Sequence, residues 1–215
     1  MFNYINPIKI MVLVSFIFAL ASLRRSNGDH LYLLLILGTC LATEIIDSAL
    51  YFFGYSNGLT MSISIIFHDC FWLLLLRRNI AFKVSLTMGL FLFLAFSMAN
   101  LLFMSGYFGF NYYTFVIGAF IYIVLFLYEN FYQLKKENLS FFLSNSYLLL
   151  FAPILFFLDL SLMFGFDSKA VTSYRIFGLI KLYDFAIYFV NAAYYFLITI
   201  YIYREKKIEV WMISQ

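Results

Sequence analysis

Residues 43–78 read Thr43-Glu44-Ile45-Ile46-Asp47, an apolar run broken at Ser56-Asn57-Gly58, then His68-Asp69, and finally Leu73-Leu74-Leu75-Leu76-Arg77-Arg78. Two apolar segments joined by a tight turn, with four ionisable side chains inside them, are the pattern of two membrane helices. Ionisable groups are costly in hydrocarbon and rare in such segments, so each is a candidate functional position.

The rest of the chain agrees with that reading. Its 215 residues are 65% hydrophobic, 23% aromatic and 12% charged, with a mean hydropathy of +0.93. Soluble domains carry about twice that share of charge, and a chain of this size has too little interior to hide so many apolar side chains. The apolar runs are continuous rather than alternating, which excludes a β-barrel. The expected fold is an all-α, polytopic transmembrane bundle forming one domain over residues 1–215. The spans fall at about 7–23, 31–54, 59–76, 84–105, 113–132, 141–164 and 176–203, with a short basic tail at 204–215. The first span, with Lys9 and Ala19-Leu20-Ala21, resembles a cleavable signal peptide. Cleavage would carry Arg24 and Arg25 across the membrane, so it is read as a retained helix. Cys40 and Cys70 lie at different depths and are read as buried thiols rather than a disulfide.

Basic residues set the orientation. Arg24, Arg25, Arg77, Arg78, Lys83, Lys135, Lys136, Arg204, Lys206 and Lys207 fall on one side, against Lys9, Lys169, Arg175 and Lys181 on or near the other. The positive-inside rule then puts the tail in the cytoplasm and the N-terminus outside. The bias to Phe, Tyr, Ile, Asn and Lys points to an AT-rich bacterial source, hence the inner (cytoplasmic) membrane. The basic residues sit at span ends, so the charge balance gives no reason to expect nucleic acid as a partner. A faint parallel repeat relates spans 2–3 to spans 6–7, matching Asp47-Ser-Ala-Leu50-Tyr-Phe52 to Asp159-Leu-Ser-Leu162-Met-Phe164.

Helical spacing places Cys40, Glu44, Asp47 and Tyr51 on one face of the second span, and Ser64, His68 and Trp72 on one face of the third. Glu44 and His68 both fall near mid-membrane and would meet if these helices pack side by side. Asp69 points away from that face and reads as structural. Asp47, Asn100, Asp159, Lys181 and Asp184 fall in the outer half, and Asn191 lies near the middle. Lys181 and Asp184, three apart, would pair on their own helix. Glu129 reads as a residue of the inner interface. The expected site is therefore an outward-facing polar cavity lined by Glu44, Asp47, His68, Asp159, Lys181, Asp184 and Asn191, binding a small amphiphile or ion as a sensor or carrier. One histidine with scattered carboxylates does not make a zinc set, no Gly-x-Ser-x-Gly elbow occurs, and no cofactor is expected. Beyond membrane lipids and the amphiphile, a membrane protein partner is expected if the polar residues serve an accessory or structural subunit.

Asp47, Leu50, His68 and Phe71, with Phe157-Leu158-Asp159 and Tyr194-Tyr195, resemble the pattern of the lysoplasmalogenase-like (YhhN-type) family of polytopic membrane proteins. The resemblance covers about a third of the chain. It departs where Ile46 and Leu158 replace a small residue, where Phe196-Leu-Ile-Thr-Ile lacks a Gln, and in seven spans against eight. It implies hydrolysis of the vinyl-ether bond of lysoplasmalogens, with Asp47 and Asp159 as acid–base residues and His68 as an orienting or proton-shuttling group.

Overall fold

The computed structural model describes residues 7–22, 28–80, 83–104, 111–165, 175–176 and 180–213. Among these, the helices are α1 (Pro7–Ser22), α2 (Gly28–Phe52), α3 (Gly58–Asn79), α4 (Lys83–Phe103), α5 (Tyr112–Lys135), α6 (Leu139–Leu143), α7 (Asn145–Gly165) and α8 (Leu182–Ile213). A two-residue antiparallel ladder pairs β1 (Arg175–Ile176) with β2 (Ile180–Lys181) ahead of α8. The helices α2, α3, α5 and parts of α4 and α8 are long and apolar enough to cross a bilayer, while α1 and the Asn145–Leu158 part of α7 are shorter apolar helices. Large apolar side chains such as Phe91, Leu92, Phe189 and Phe196 stand more than 60% exposed. Such surfaces suit lipid rather than water. The chain is a multi-pass helical membrane protein.

The helices form a ring. Neighbours pack in the order α1, α2, α3, then α4 and α5, then α7 and α8, and α8 closes back onto α1. The central member is α3, which touches α2, α4, α5 and α7. Its buried residues include Ile65, Ile66, His68, Asp69, Cys70, Trp72, Leu73, Leu75 and Leu76, which cover a broad arc of the helix, while Ile63 and Phe67 stand exposed on the remaining stripe. The exposed stripe is apolar and the polar groups His68 and Asp69 lie on the buried arc, which keeps them away from lipid. Cys40 is half-buried and Cys70 buried, and both are free thiols.

Helix ends are fixed by local chemistry. Gly54 has φ +73°, with Tyr55 N–H donating to Leu50 O at 2.9 Å and Gly54 N–H to Tyr51 O at 3.1 Å. That pair of bonds is a Schellman cap, which ends α2 and turns the chain into α3. Asn111 caps α5 by accepting from Thr114 N–H at 3.2 Å. Pro153 lies inside α7 and has no N–H to give the preceding turn. Tyr122 of α5 donates its hydroxyl to Leu150 O at 2.8 Å in that same turn, supplying a donor from the neighbouring helix.

Two expected boundaries move. The apolar run at 141–164 is broken at Ser144, whose extended backbone (φ −70°, ψ 152°) separates α6 from α7. Its hydroxyl accepts from Tyr147 N–H at 3.1 Å, which makes it the cap of α7. The last helix begins at Leu182 rather than near 176, because Arg175–Ile176 and Ile180–Lys181 pair as a hairpin.

Two polar clasps set which ends lie together. Arg78 at the end of α3 pairs with Asp29 at the start of α2 at 2.7 Å. Asn145 at the start of α7 donates to Glu205 Oε1 at 2.7 Å and Tyr201 O at 3.0 Å near the end of α8. At the opposite end, Ser62, Asn100, Asn111 and Thr114 join α3, α4 and α5. Asn100 donates its amide to Asn111 Oδ1 and Thr114 Oγ1, and Asn111 N–H donates to Ser62 Oγ at 2.9 Å. All four residues are fully buried.

Candidate functional site

The polar residues expected to line one cavity fall into separate groups among the described residues. The first is enclosed and centres on α3. His68 and Asp69 are each 1% exposed. Trp72 Nε1–H, a group that can only donate, lies 3.1 Å from His68 Nε2, so Nε2 is the acceptor. The proton therefore sits on Nδ1, which donates to Asp69 Oδ1 at 3.2 Å. Tyr194 Oη of α8 lies 3.3 Å from both His68 Nε2 and Trp72 Nε1. Phe156 of α7 covers the imidazole with ring centroids 3.8 Å apart. Across from it, the carboxylate of Asp69 lies against Gly118 of α5, in space that a side chain there would occupy. This group ties α3 to α5, α7 and α8 and leaves no approach for a substrate to either ring nitrogen.

Asp69 thus bonds His68 instead of pointing away from it. The two side chains are about 100° apart on the helix, but the buried arc of α3 is wide enough to hold both. Trp72 shares the face of His68 as the spacing placed it, and Tyr194 is the partner that spacing missed. Tyr194 is one of 18 tyrosines, and nothing local distinguishes it.

The second group is open and lies between α1 and α2. Lys9 Nζ is 3.8 Å from Glu44 Oε2, with side-chain exposures of 33% and 29%. The ammonium also donates to Ser48 Oγ at 2.6 Å, and Ser48 returns its hydroxyl hydrogen to Glu44 O at 2.6 Å. One turn on, Asp47 Oδ2 accepts from Asn57 Nδ2 at 3.2 Å, while its Oδ1 has no hydrogen-bond partner among the described residues. Ile45, Ile46, Tyr51 and Phe52 stand exposed around these groups.

Glu44 and His68 therefore do not meet. The residues that join α2 to α3 at this level are Thr43 and Ser64, whose hydroxyls are 2.5 Å apart. Glu44 follows Thr43 by one residue, and that rotation turns it to α1. The remaining expected residues lie elsewhere. Lys181 is exposed in β2, outside α8, and no ion pair joins it to Asp184 among the described residues. Asp184 is half-buried in the first turn of α8. Asn191 is buried and donates to Ile187 O of its own helix at 3.1 Å. The side chain of Asp159 lies outside the described residues, as does Lys169. Glu129 is 1% exposed and accepts from Gln133 Nε2 at 2.6 Å, so it belongs to the interior rather than the interface. Among the described residues no three His, Cys, Asp or Glu side chains gather as a metal site.

The chain matches no protein-family model, no curated protein and no solved structure.

Proposed function

We propose that this chain is a seven-span protein of the bacterial cytoplasmic membrane, N-terminus outside, that binds the cationic head of a small amphiphile between α1 and α2. The observation that carries the reading is the partly exposed Lys9–Glu44 pair set among lipid-facing apolar side chains. Two carboxylates, Glu44 and Asp47, face one ammonium there, so the local balance favours a cation. Asp47 Oδ1 is buried and has no hydrogen-bond partner among the described residues. Among the described residues, α1 is much the shorter of the two helices. Its 16 residues reach about 24 Å, against about 37 Å for the 25 residues of α2. Lys9 consequently meets α2 at Glu44 and Ser48, two turns short of its end at Phe52.

Binding is tested with a medium-chain primary alkylamine and an alkyl sulfate of the same length, titrated against the protein in neutral-lipid nanodiscs. Charge-assisted hydrogen bonds contribute about 1.5–3 kcal/mol, so Glu44→Gln and Asp47→Asn should each weaken alkylamine binding about tenfold. Equal affinity for the sulfate, or variants indistinguishable from the parent, would overturn the reading. The lysoplasmalogenase-like alternative predicts aldehyde release from lysoplasmalogen by the same preparation. It is the weaker proposal, because Asp47 and His68 have separate partners and His68 is closed off. The accessory-subunit alternative predicts no binding of either probe. For the orientation, a reporter fused after Gln215 is expected to read as cytoplasmic, and an extracytoplasmic signal refutes it.

A further inference from the structure

At the other end of the bundle, the break at Ser144 turns α6 away from α7 and leaves a groove against α8 of about 250 Å³. Its walls include Phe142, Leu143, Tyr147, Phe151 and Leu197, and Arg204 stands at one end. Ser144, the cap of α7, and Phe151 are seven positions apart, as are Leu197 and Arg204 on α8, so the groove runs about 10 Å along both helices. It is smaller than the roughly 300–1,000 Å³ of a site that swallows a whole small molecule. It suits part of a ligand whose remainder stays in the bilayer.

The charges indicate the head group. Arg204 is exposed and makes no ion pair among the described residues. Its neighbour Glu205 is turned to Asn145, which donates to it at 2.7 Å, so the adjacent acid is already engaged. Lys136 is likewise occupied, 4.3 Å over the Tyr132 ring. A guanidinium is the side chain best shaped for a phosphate diester, and here it closes an aromatic and aliphatic slot at the end of the bundle where the basic residues gather.

We infer that the α6–α7–α8 groove is a binding site for an anionic glycerophospholipid, with the phosphate on Arg204 and one acyl chain along Phe151 and Leu197. The site is distinct from the α1–α2 opening and does not depend on it.

The full chain in neutral-lipid nanodiscs is titrated with short-chain phosphatidylglycerol and with phosphatidylcholine of equal chain length, and bound lipid is counted by native mass spectrometry. A basic side chain at the anionic surface is expected to give about a fivefold preference for phosphatidylglycerol. Arg204→Gln should abolish that preference and Arg204→Lys should keep part of it. Lys206→Gln, an exposed neighbour outside the groove, should leave it intact. The inference is overturned if Lys206→Gln costs as much as Arg204→Gln, which is diffuse attraction. It is overturned equally if inorganic phosphate at matched concentration displaces the lipid, because the chain slot then contributes nothing.

Discussion

Replacing Gly118 by alanine is expected to destabilise the protein by about 1–2 kcal/mol, read as a lower melting temperature in detergent. The sign is the informative part, because Gly→Ala inside a helix ordinarily stabilises by about 0.5–1 kcal/mol. Here the added methyl would land on the Asp69 carboxylate and come within 3.0 Å of Phe93. The carboxylate is the end of a side chain and would normally give way. Asp69 is instead 1% exposed and bonded to His68, so moving it strains a packed centre. Overpacking of this kind costs about 1–3 kcal/mol, which outweighs the propensity gain. Gly89 of α4 is the internal control, since a methyl there would meet Ile121 at 3.8 Å, an ordinary contact. Gly89→Ala should be neutral or stabilising. Combining Gly118→Ala with Asp69→Ala should cost less than the sum of the two changes. Strict additivity would show that the carboxylate and the glycine do not share that space.

The second large effect is expected at His68. His68→Phe keeps a ring against Phe156 but removes both nitrogens. Trp72 Nε1–H retains Tyr194 Oη as an acceptor, so the loss falls on Asp69. Its Oδ2 already lacks a partner among the described residues, and the substitution leaves Oδ1 without one too. Leaving a buried polar group without its hydrogen bond costs about 1–3 kcal/mol in soluble proteins. Side-chain hydrogen bonds between membrane helices average only about 0.6 kcal/mol, because the unfolded helices still find partners in the bilayer. A carboxylate held at the centre of the bundle is nearer the first case, and we expect about 2 kcal/mol. Adding Asp69→Ala should recover part of it by removing the stranded polar group. A melting temperature for His68→Phe within a degree of the parent would mean that the imidazole nitrogens hold nothing together.

The sequence disclosed the helices far better than their partners. Expected segments 59–76 and 84–105 lie within three residues of α3 and α4 at both ends, because continuous apolar runs bounded by Gly58, Arg77 and Lys83 leave little freedom. The break at Ser144 was invisible, since a serine inside an apolar run reads equally as a helix residue or as a cap. The ladder at Arg175–Ile176 was hidden for a similar reason, as β-branched and aromatic residues suit either element. Site geometry was harder still. Glu44 and His68 were at matching depth, but depth does not specify rotation, and the 100° between Thr43 and Glu44 decides which of them faces α3. His68 and Tyr194 are 126 positions apart, a pairing that no local periodicity encodes.

That separation has a consequence for biosynthesis. A ribosome adding about 5–20 residues per second needs roughly 6–25 s to pass from His68 to Tyr194. During that interval α3 stands with an imidazole and a carboxylate that are covered only stepwise, as α5, then α7 and last α8 are made. Of the helices made before it, α2 is the neighbour it packs on, through Thr43 and Ser64. The helix that ends at the centre of the finished protein is therefore the one that most needs shelter while the protein is being made, and insertion chaperones should be found crosslinked to α3 ahead of any other segment.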